Sequence, residues 1–266
     1  MTIPDTVHDA VRAATAAAEA SAVRIRELPD LDTIREVDDL FRVIWRPDPN
    51  NPPVSNELMR VLAHAGNYVV GAYLGDRLVG ATVGFLATPI GRTLHSHVTG
   101  VSAEVRGRSV GFALKLHQRA WALERGLDTI TWTFDPLVRR NAYFNLAKLA
   151  ARAVQYLPDF YGEMGDDING TGASDRLLVR WDLDAPEVAA ACDRRPPGAG
   201  HGLLVPTPPD IEGLRKADPA LADEWRMRLR EVLGTHLAGG AEITGFTRDG
   251  DYVVTRDPRL VQHGAP

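Results

Sequence analysis

The stretch Arg106-Gly107-Arg108-Ser109-Val110-Gly111-Phe112-Ala113 decides how this chain is read. Before it, Leu94 to Val101 has the composition of a strand. After it, a segment running to Arg125-Gly126 repeats Phe112, Leu116, Ala120, Leu123 and Leu127 at helical spacing. A strand, a short polar turn and a helix are therefore expected in that order. The first turn of a helix leaves its backbone N–H groups unpaired and carries a partial positive charge. Small residues at its entrance let a diphosphate come close to that backbone. Arg106 and Arg108 would add charge-assisted hydrogen bonds.

Working outward, Val23 to Leu28 alternates as a strand does, and Asp32 to Trp45 places Ile34, Val37, Leu40, Phe41 and Ile44 on one helical face. Pro47 to Pro53 reads as a loop and Glu57 to Ala65 as a short helix. Tyr68 to Leu74 and Leu78 to Leu86 form a hairpin around Gly75-Asp76-Arg77, where glycine supplies the positive φ of a tight turn. Downstream, Thr129 to Phe134 is a strand closed by Asp135-Pro136. Asn141 to Ala153 is a helix with Asn141 or its neighbour as cap, Val154 to Leu157 a strand, Tyr161 to Ser174 a mobile loop with four glycines, and Arg176 to Leu183 a strand. In the tail, Ile211 to Leu237 is helical with a break near Asp218-Pro219, and Ile243 to Phe246 pairs with Tyr252 to Thr255 across Asp249-Gly250. The expected organisation is a loosely docked leader helix over residues 1–22, a main domain over 23–185, a proline- and glycine-rich linker over 186–202 and an extension of helix and hairpin over 203–266.

The central turn resembles the cofactor motif of the GNAT acetyltransferases: arginine or glutamine, two residues, glycine, one residue, then glycine or alanine. Arg106 and Gly111 take the outer positions, and Ser109 stands where the first glycine belongs; a register shifted by two, with Arg108, Gly111 and Ala113, names the same turn. The order of elements through about Leu183 also resembles that family. The whole chain, including Trp225-Arg226 and Asp249-Gly250, is similar to a group of GNAT proteins with a C-terminal extension. The resemblance implies an α+β fold with a mixed, mostly antiparallel sheet flanked by helices. It also implies acetyl-CoA or another acyl-CoA as co-substrate, with no metal, and transfer of the acyl group directly to an amine.

It further implies site residues. Arg106, Gly107, Arg108, Ser109, Val110, Gly111, Phe112 and Ala113 would hold the diphosphate, and Asn141 would meet the cofactor from the start of its helix. Thr99, Gly100 and Val101 match the bulged strand whose N–H groups receive the pantetheine and polarise the thioester carbonyl. The amine must lose a proton and the thiolate gain one. His97 and Asp135 are the candidate bases, with His95 on the same strand face as His97. Leu146 holds the place where many members have a tyrosine acid, leaving Tyr143 or Tyr161 as substitutes.

Two rivals share this turn. Gly107-Arg108-Ser109-Val110-Gly111 matches the nucleophile elbow of serine hydrolases, although Ser102 to Arg106 separate it from its strand. A non-catalytic acyl-CoA sensor would keep the turn and lack base and acid.

Composition narrows the field further. With 266 residues, 44% hydrophobic and 24% charged, the chain is globular, and its apolar runs are shorter than the ~20 residues of a membrane span. A net charge of −5 argues against nucleic-acid binding. Cys192 is the single cysteine and reads as a bland linker residue, which excludes an internal disulfide and fits a cytoplasmic protein. The first twenty residues lack the form of a secretory signal, carrying Asp5, His8, Asp9, Arg12 and Glu19. The expected partner is a small-molecule amine, with no nucleic acid and no membrane, and a homodimer is compatible with all of this.

Overall fold

A computed structural model describes residues 5–48, 51–166, 168–170 and 172–256. Its internal contacts divide the chain into two compact units, Met1–Thr131 with Asp182–Asp184, and Trp132–Trp181 with Ala185–Pro266. Residues 49–50 of the first expected loop and 167 and 171 of the glycine-rich loop lie outside the described residues.

The first unit holds α1 (Asp5–Ala20), β1 (Arg24–Glu27), α2 (Leu31–Trp45), α3 (Asn56–His64), β2 (Tyr68–Leu74), β3 (Arg77–Ala87), β4 (Thr93–Val101), a single 3₁₀ turn (Ala103–Val105), α4 (Val110–Glu124) and the start of β5 (Thr129–Phe134). Strands β1 to β4 are consecutive antiparallel neighbours, and β4 pairs in parallel with β5. The fold is thus α+β with a mixed, mostly antiparallel sheet flanked by helices. Local chemistry sets the elements. Asp30 caps α2 by accepting from the Thr33 N–H, Ser55 caps α3 by accepting from the Leu58 N–H, and Gly75 turns the β2–β3 hairpin at φ +61.

Each face of this sheet has its own cover. Ile34, Val37 and Phe41 of α2 and Met59 of α3 pack with Val69, Ala81 and Val83 in one core. On the other face Tyr68 stacks edge-on against Trp121 of α4 at 5.1 Å. Helix α1 packs on α4 and buries Val7, Ala10, Ala13, Ala14 and Ala17. The expectation of a loosely docked leader is therefore corrected. Alanine supplies the apolar stripe, and its small side chain lets two helices approach closely.

The second unit interleaves the middle of the chain with its tail: α5 (Arg139–Ala142), a π-helical turn (Tyr143–Lys148), β6 (Arg152–Leu157), β7 (Arg176–Asp182), α6 (Pro186–Cys192), β8 (Leu203–Pro206), α7 (Ile211–Ala217), α8 (Pro219–Ala238), β9 (Ala241–Phe246) and β10 (Asp251–Arg256). β6 and β7 are antiparallel, and β10 lies between β8 and β9. Side chains tie the two segments together. The Tyr252 hydroxyl donates to the Pro136 carbonyl at 2.7 Å, and Asp175 accepts from the Tyr156 hydroxyl at 2.8 Å and from Arg230 of α8.

Several expectations are corrected in this unit. The helix expected over Asn141 to Ala153 starts at Arg139, widens into the π turn and stops at Lys148, so that β6 begins at Arg152. Its N-cap is Val138, and Asn141 lies inside it. The segment read as a linker contains α6, whose Val188, Ala191 and Cys192 are buried. The loop read as mobile is closed at its base by Phe160 N–H to Ser174 O and Ser174 N–H to Asp159, and braced by Arg215 of α7 donating to Ile168 O at 3.0 Å.

Candidate active site

Strand β4 carries the irregularity on which the site is built. Val98 pairs with Val83 and Ser96 with Gly84, leaving His97 as an extra residue, a β-bulge. In a regular strand residues 96 and 98 would share a face. Here Ser96 is buried against α4, where its hydroxyl accepts from Lys115 Nζ at 3.0 Å, while Val98 packs on the opposite core with α2 and α3. The parallel ladder with β5 spans Thr93–His95 and Thr129–Thr131, and β4 continues past it to Val101. Thr99, Gly100 and Val101 lie in that continuation, paired to Thr82, Ala81 and Gly80 of β3. At Gly100 a Cβ would stand 2.8 Å from the Trp45 indole, so only glycine lets α2 rest on the strand there.

The turn that follows ends in a helix start of unusual backbone shape. Gly107 has φ +84 and Ser109, the N-cap of α4, has φ +62 with ψ +22, in the left-handed region that favours glycine. The position where the motif calls for glycine thus has the backbone that calls for glycine, which fits the register Arg106, Ser109, Gly111. The Phe112 and Ala113 N–H groups donate to the Ser109 carbonyl, and their side chains are buried. Among the described residues the N–H groups of Gly107, Ser109, Val110 and Gly111 donate to no protein acceptor. The turn adjoins the end of β4, since a Cβ on Gly111 would lie 3.8 Å from Val101 Cγ2, with nothing else near it. Arg106 and Arg108 are exposed and make no ion pair among the described residues. Four open amides, two arginines and a cradle that a side chain on Gly111 would fill make a fitting seat for a diphosphate.

The two histidines lie beside the bulge. His97 Nε2 is 3.3 Å from the Pro53 carbonyl, which can only accept, so the neutral ring carries its proton on Nε2 and leaves Nδ1 as the acceptor. Burial holds the His97 imidazole below its ordinary pKa, against the opposing pull of that carbonyl. His95 Nδ1 is 3.1 Å from the Thr131 hydroxyl, and burial, with help from His97 and Lys115, lowers its pKa to about 4. Phe85 is tilted against both rings, at 5.3 and 6.0 Å.

The remaining candidates lie in the second unit. Asp135 is buried with both oxygens engaged, Oδ1 accepting from the Leu137 N–H at 2.9 Å and Oδ2 from Arg215 at 2.5 Å. It closes the turn after β5 and anchors α7, a job already filled before any proton transfer. Asn141 and Tyr143 are both half-buried, and the Tyr143 ring lies 5.8 Å from Lys148 Nζ. Tyr161 reaches the Thr133 hydroxyl at 3.1 Å and lies under the Arg176 guanidinium. Leu146 is buried. The bulge that the resemblance implies at Thr99 to Val101 is corrected: those residues pair regularly with β3, and the extra residue is His97, because only the pairing with β3 fixes the phase. The buried Lys115 on α4 has no signal in the sequence that separates it from a surface cation.

Residues 6–143, just over half of the chain, match the family model described as the acetyltransferase (GNAT) domain. The chain belongs to that family, and it is an enzyme of acyl transfer of the GNAT N-acetyltransferase type. Among solved structures, a GNAT-family protein from Desulfovibrio desulfuricans is 15% identical, with a TM-score of 0.51, 61% of this chain covered and 99% of that one. Aminoglycoside 6'-acetyltransferase type Ii is 20% identical, with a TM-score of 0.47 and coverage of 61% and 98%. The ribosomal-protein-S18-alanine N-acetyltransferase from Escherichia coli is 10% identical, with a TM-score of 0.48 and coverage of 61% and 95%. No curated protein matches the sequence.

Proposed function

We propose that this enzyme transfers an acetyl or other short acyl group from coenzyme A directly to the amine of a small molecule. The observation that carries the proposal is the junction of a bulged β4, running on past its ladder with β5, and the unpartnered amides at the start of α4. Bound acetyl-CoA supplies the activated acyl group as a thioester. The N–H groups of Gly107, Ser109, Val110 and Gly111 bind the diphosphate, and Arg106 and Arg108 neutralise its charge. The strand edge from Thr99 to Val101 takes the pantetheine and the thioester carbonyl.

His97 is the base. Burial keeps its imidazole neutral, and Nδ1 is the nitrogen free to take the proton of the attacking amine. Asp135 is left to its ion pair with Arg215. We place the enzyme in the cytoplasm, in keeping with a single cysteine buried in α6. Among the described residues no helix is long and apolar enough to cross a membrane.

The hydrolase alternative asks Ser109 to follow its strand directly and to face a histidine. β4 ends at Val101 with the 3₁₀ turn between, and the Ser109 hydroxyl makes no hydrogen bond to a histidine among the described residues. Calorimetric titration with acetyl-CoA, followed by free-thiol release over a panel of small amines, tests the proposal. Binding with amine-dependent release is expected. Binding without release from any amine would indicate a sensor, and labelling of Ser109 by a serine-directed phosphonate a hydrolase.

A further inference from the structure

We infer that Lys115 is a positioning residue for acyl transfer, one that pins the β4 bulge from behind the sheet through its hydrogen bond to Ser96. The inference rests on the assignment of the β4 edge as the thioester site.

The bulge at His97 makes Ser96 and Val98 face opposite sides of the sheet. Val98 is fixed by the core that it shares with Val83 and Ala81. Ser96 is a buried polar residue on the other face, 3% exposed. Its hydroxyl is held by Lys115 Nζ at 3.0 Å, and the same amine donates to Gln118 Oε1 at 3.2 Å, one turn along α4. The backbone makes room for this contact. The residue paired with Ser96 is Gly84, where a Cβ would lie 3.0 Å from the His95 carbonyl and 3.5 Å from Gln118 Nε2. All three side chains are buried, with 3, 5 and 0% exposure for Ser96, Lys115 and Gln118.

An amine in this position is a costly choice. Burial lowers the Lys115 pKa to about 7, whereas a methionine of similar length would fill the space without desolvating a charge. What methionine would not do is hold Ser96. With that bond lost, the strand can slip toward regular pairing, which rotates His97 and every residue up to Val101 by one position. The base and the thioester edge would then move together, while the start of α4 stays where the helix puts it.

Hydrogen exchange followed by mass spectrometry on the full chain without ligand, comparing wild type with Lys115→Met, Ser96→Ala and Ser96→Thr, is the test. Peptides covering residues 94–101 should exchange about tenfold faster in Lys115→Met and Ser96→Ala, the factor expected for loss of one buried hydrogen bond. Ser96→Thr keeps the hydroxyl and should restore protection. In parallel, affinity for free CoA should stay within about twofold, while kcat for acyl transfer falls about tenfold. Wild-type exchange at β4 in either folded variant would overturn the inference, and Ser96→Ala covers the case in which Lys115→Met fails to fold. Because exchange is read without ligand, a wild-type protein that does not bind CoA would sink the functional proposal while leaving the pin to be judged by itself.

Discussion

Asp135 Oδ2 lies 2.5 Å from the guanidinium of Arg215, eighty residues further along the chain, and both side chains are largely withdrawn from solvent. Arg215 also holds the Ile168 carbonyl, so one side chain of the tail fixes both the turn after β5 and the glycine-rich loop. Arg215→Met would leave the carboxylate buried without its partner. Such a loss costs about 3 kcal/mol, to be read as a lowered midpoint in urea denaturation. Asp135→Asn should keep acyl transfer within about fivefold, because the group orders structure and moves no proton.

His97→Gln separates the two candidate bases. The variant keeps a side chain able to donate but cannot accept the amine proton, and kcat should fall by about 10². The pH profile carries the sign. Only neutral imidazole is active, and burial holds the His97 pKa below the ordinary 6.5. The acid limb of kcat/KM should therefore lie below pH 6.5 in the wild type and disappear in His97→Gln. A larger loss in Asp135→Asn than in His97→Gln would return the base to Asp135.

Lys115 sets a pH dependence of stability. Its pKa is lowered from 10.5 to about 7 by burial, so the unfolded chain holds the proton more tightly than the folded one. Stability then rises with pH between about 7 and 10.5 and levels off below 7, where both states are protonated. Wild-type melting temperature should climb through this window by more than that of Lys115→Met, with the difference measured by calorimetry at pH 7 and pH 9.5.

Ser109 occupies a backbone that costs a non-glycine residue about 1 kcal/mol. Ser109→Gly should recover part of that cost as a small rise in melting temperature and leave CoA affinity within about twofold. A hydrolase would lose its activity with the same change.

The parts of the fold legible in the sequence were those with local causes. The β2–β3 turn at Gly75, the break at Asp218-Pro219 and the β9–β10 hairpin follow from residues within a few positions of each other. So does the turn before α4, where Gly107 marks the positive φ. The resemblance implies a bulged strand but not its position at His97, since the string from Leu94 to Val101 alternates either way and only the pairing with β3 shifts the phase. The alanine stripe of α1 is not legible in the sequence, because alanine is a weak signal of burial. The tail read as an appendage because its partners are remote. Tyr252 meets Pro136 across 116 positions and Arg230 meets Asp175 across 55, separations that no window of sequence spans.

Gly111→Leu probes the cradle. A Cβ at Gly111 meets only Val101 Cγ2 at an ordinary 3.8 Å, so the fold should tolerate the change. Helix propensity favours it by up to about 1 kcal/mol. The longer side chain should nonetheless fill the space above the open amides and weaken acetyl-CoA binding by at least about 100-fold. Equal affinity in a folded variant would place the diphosphate elsewhere.

The most direct test is a nitrogen-15 heteronuclear spectrum of the full chain titrated with CoA. The amide signals of Gly107, Ser109, Val110 and Gly111 should shift downfield and saturate together as they become hydrogen-bonded to the diphosphate. Phe112 and Ala113, already bonded to the Ser109 carbonyl, should move far less. Saturable binding that leaves those four signals in place would contradict the account.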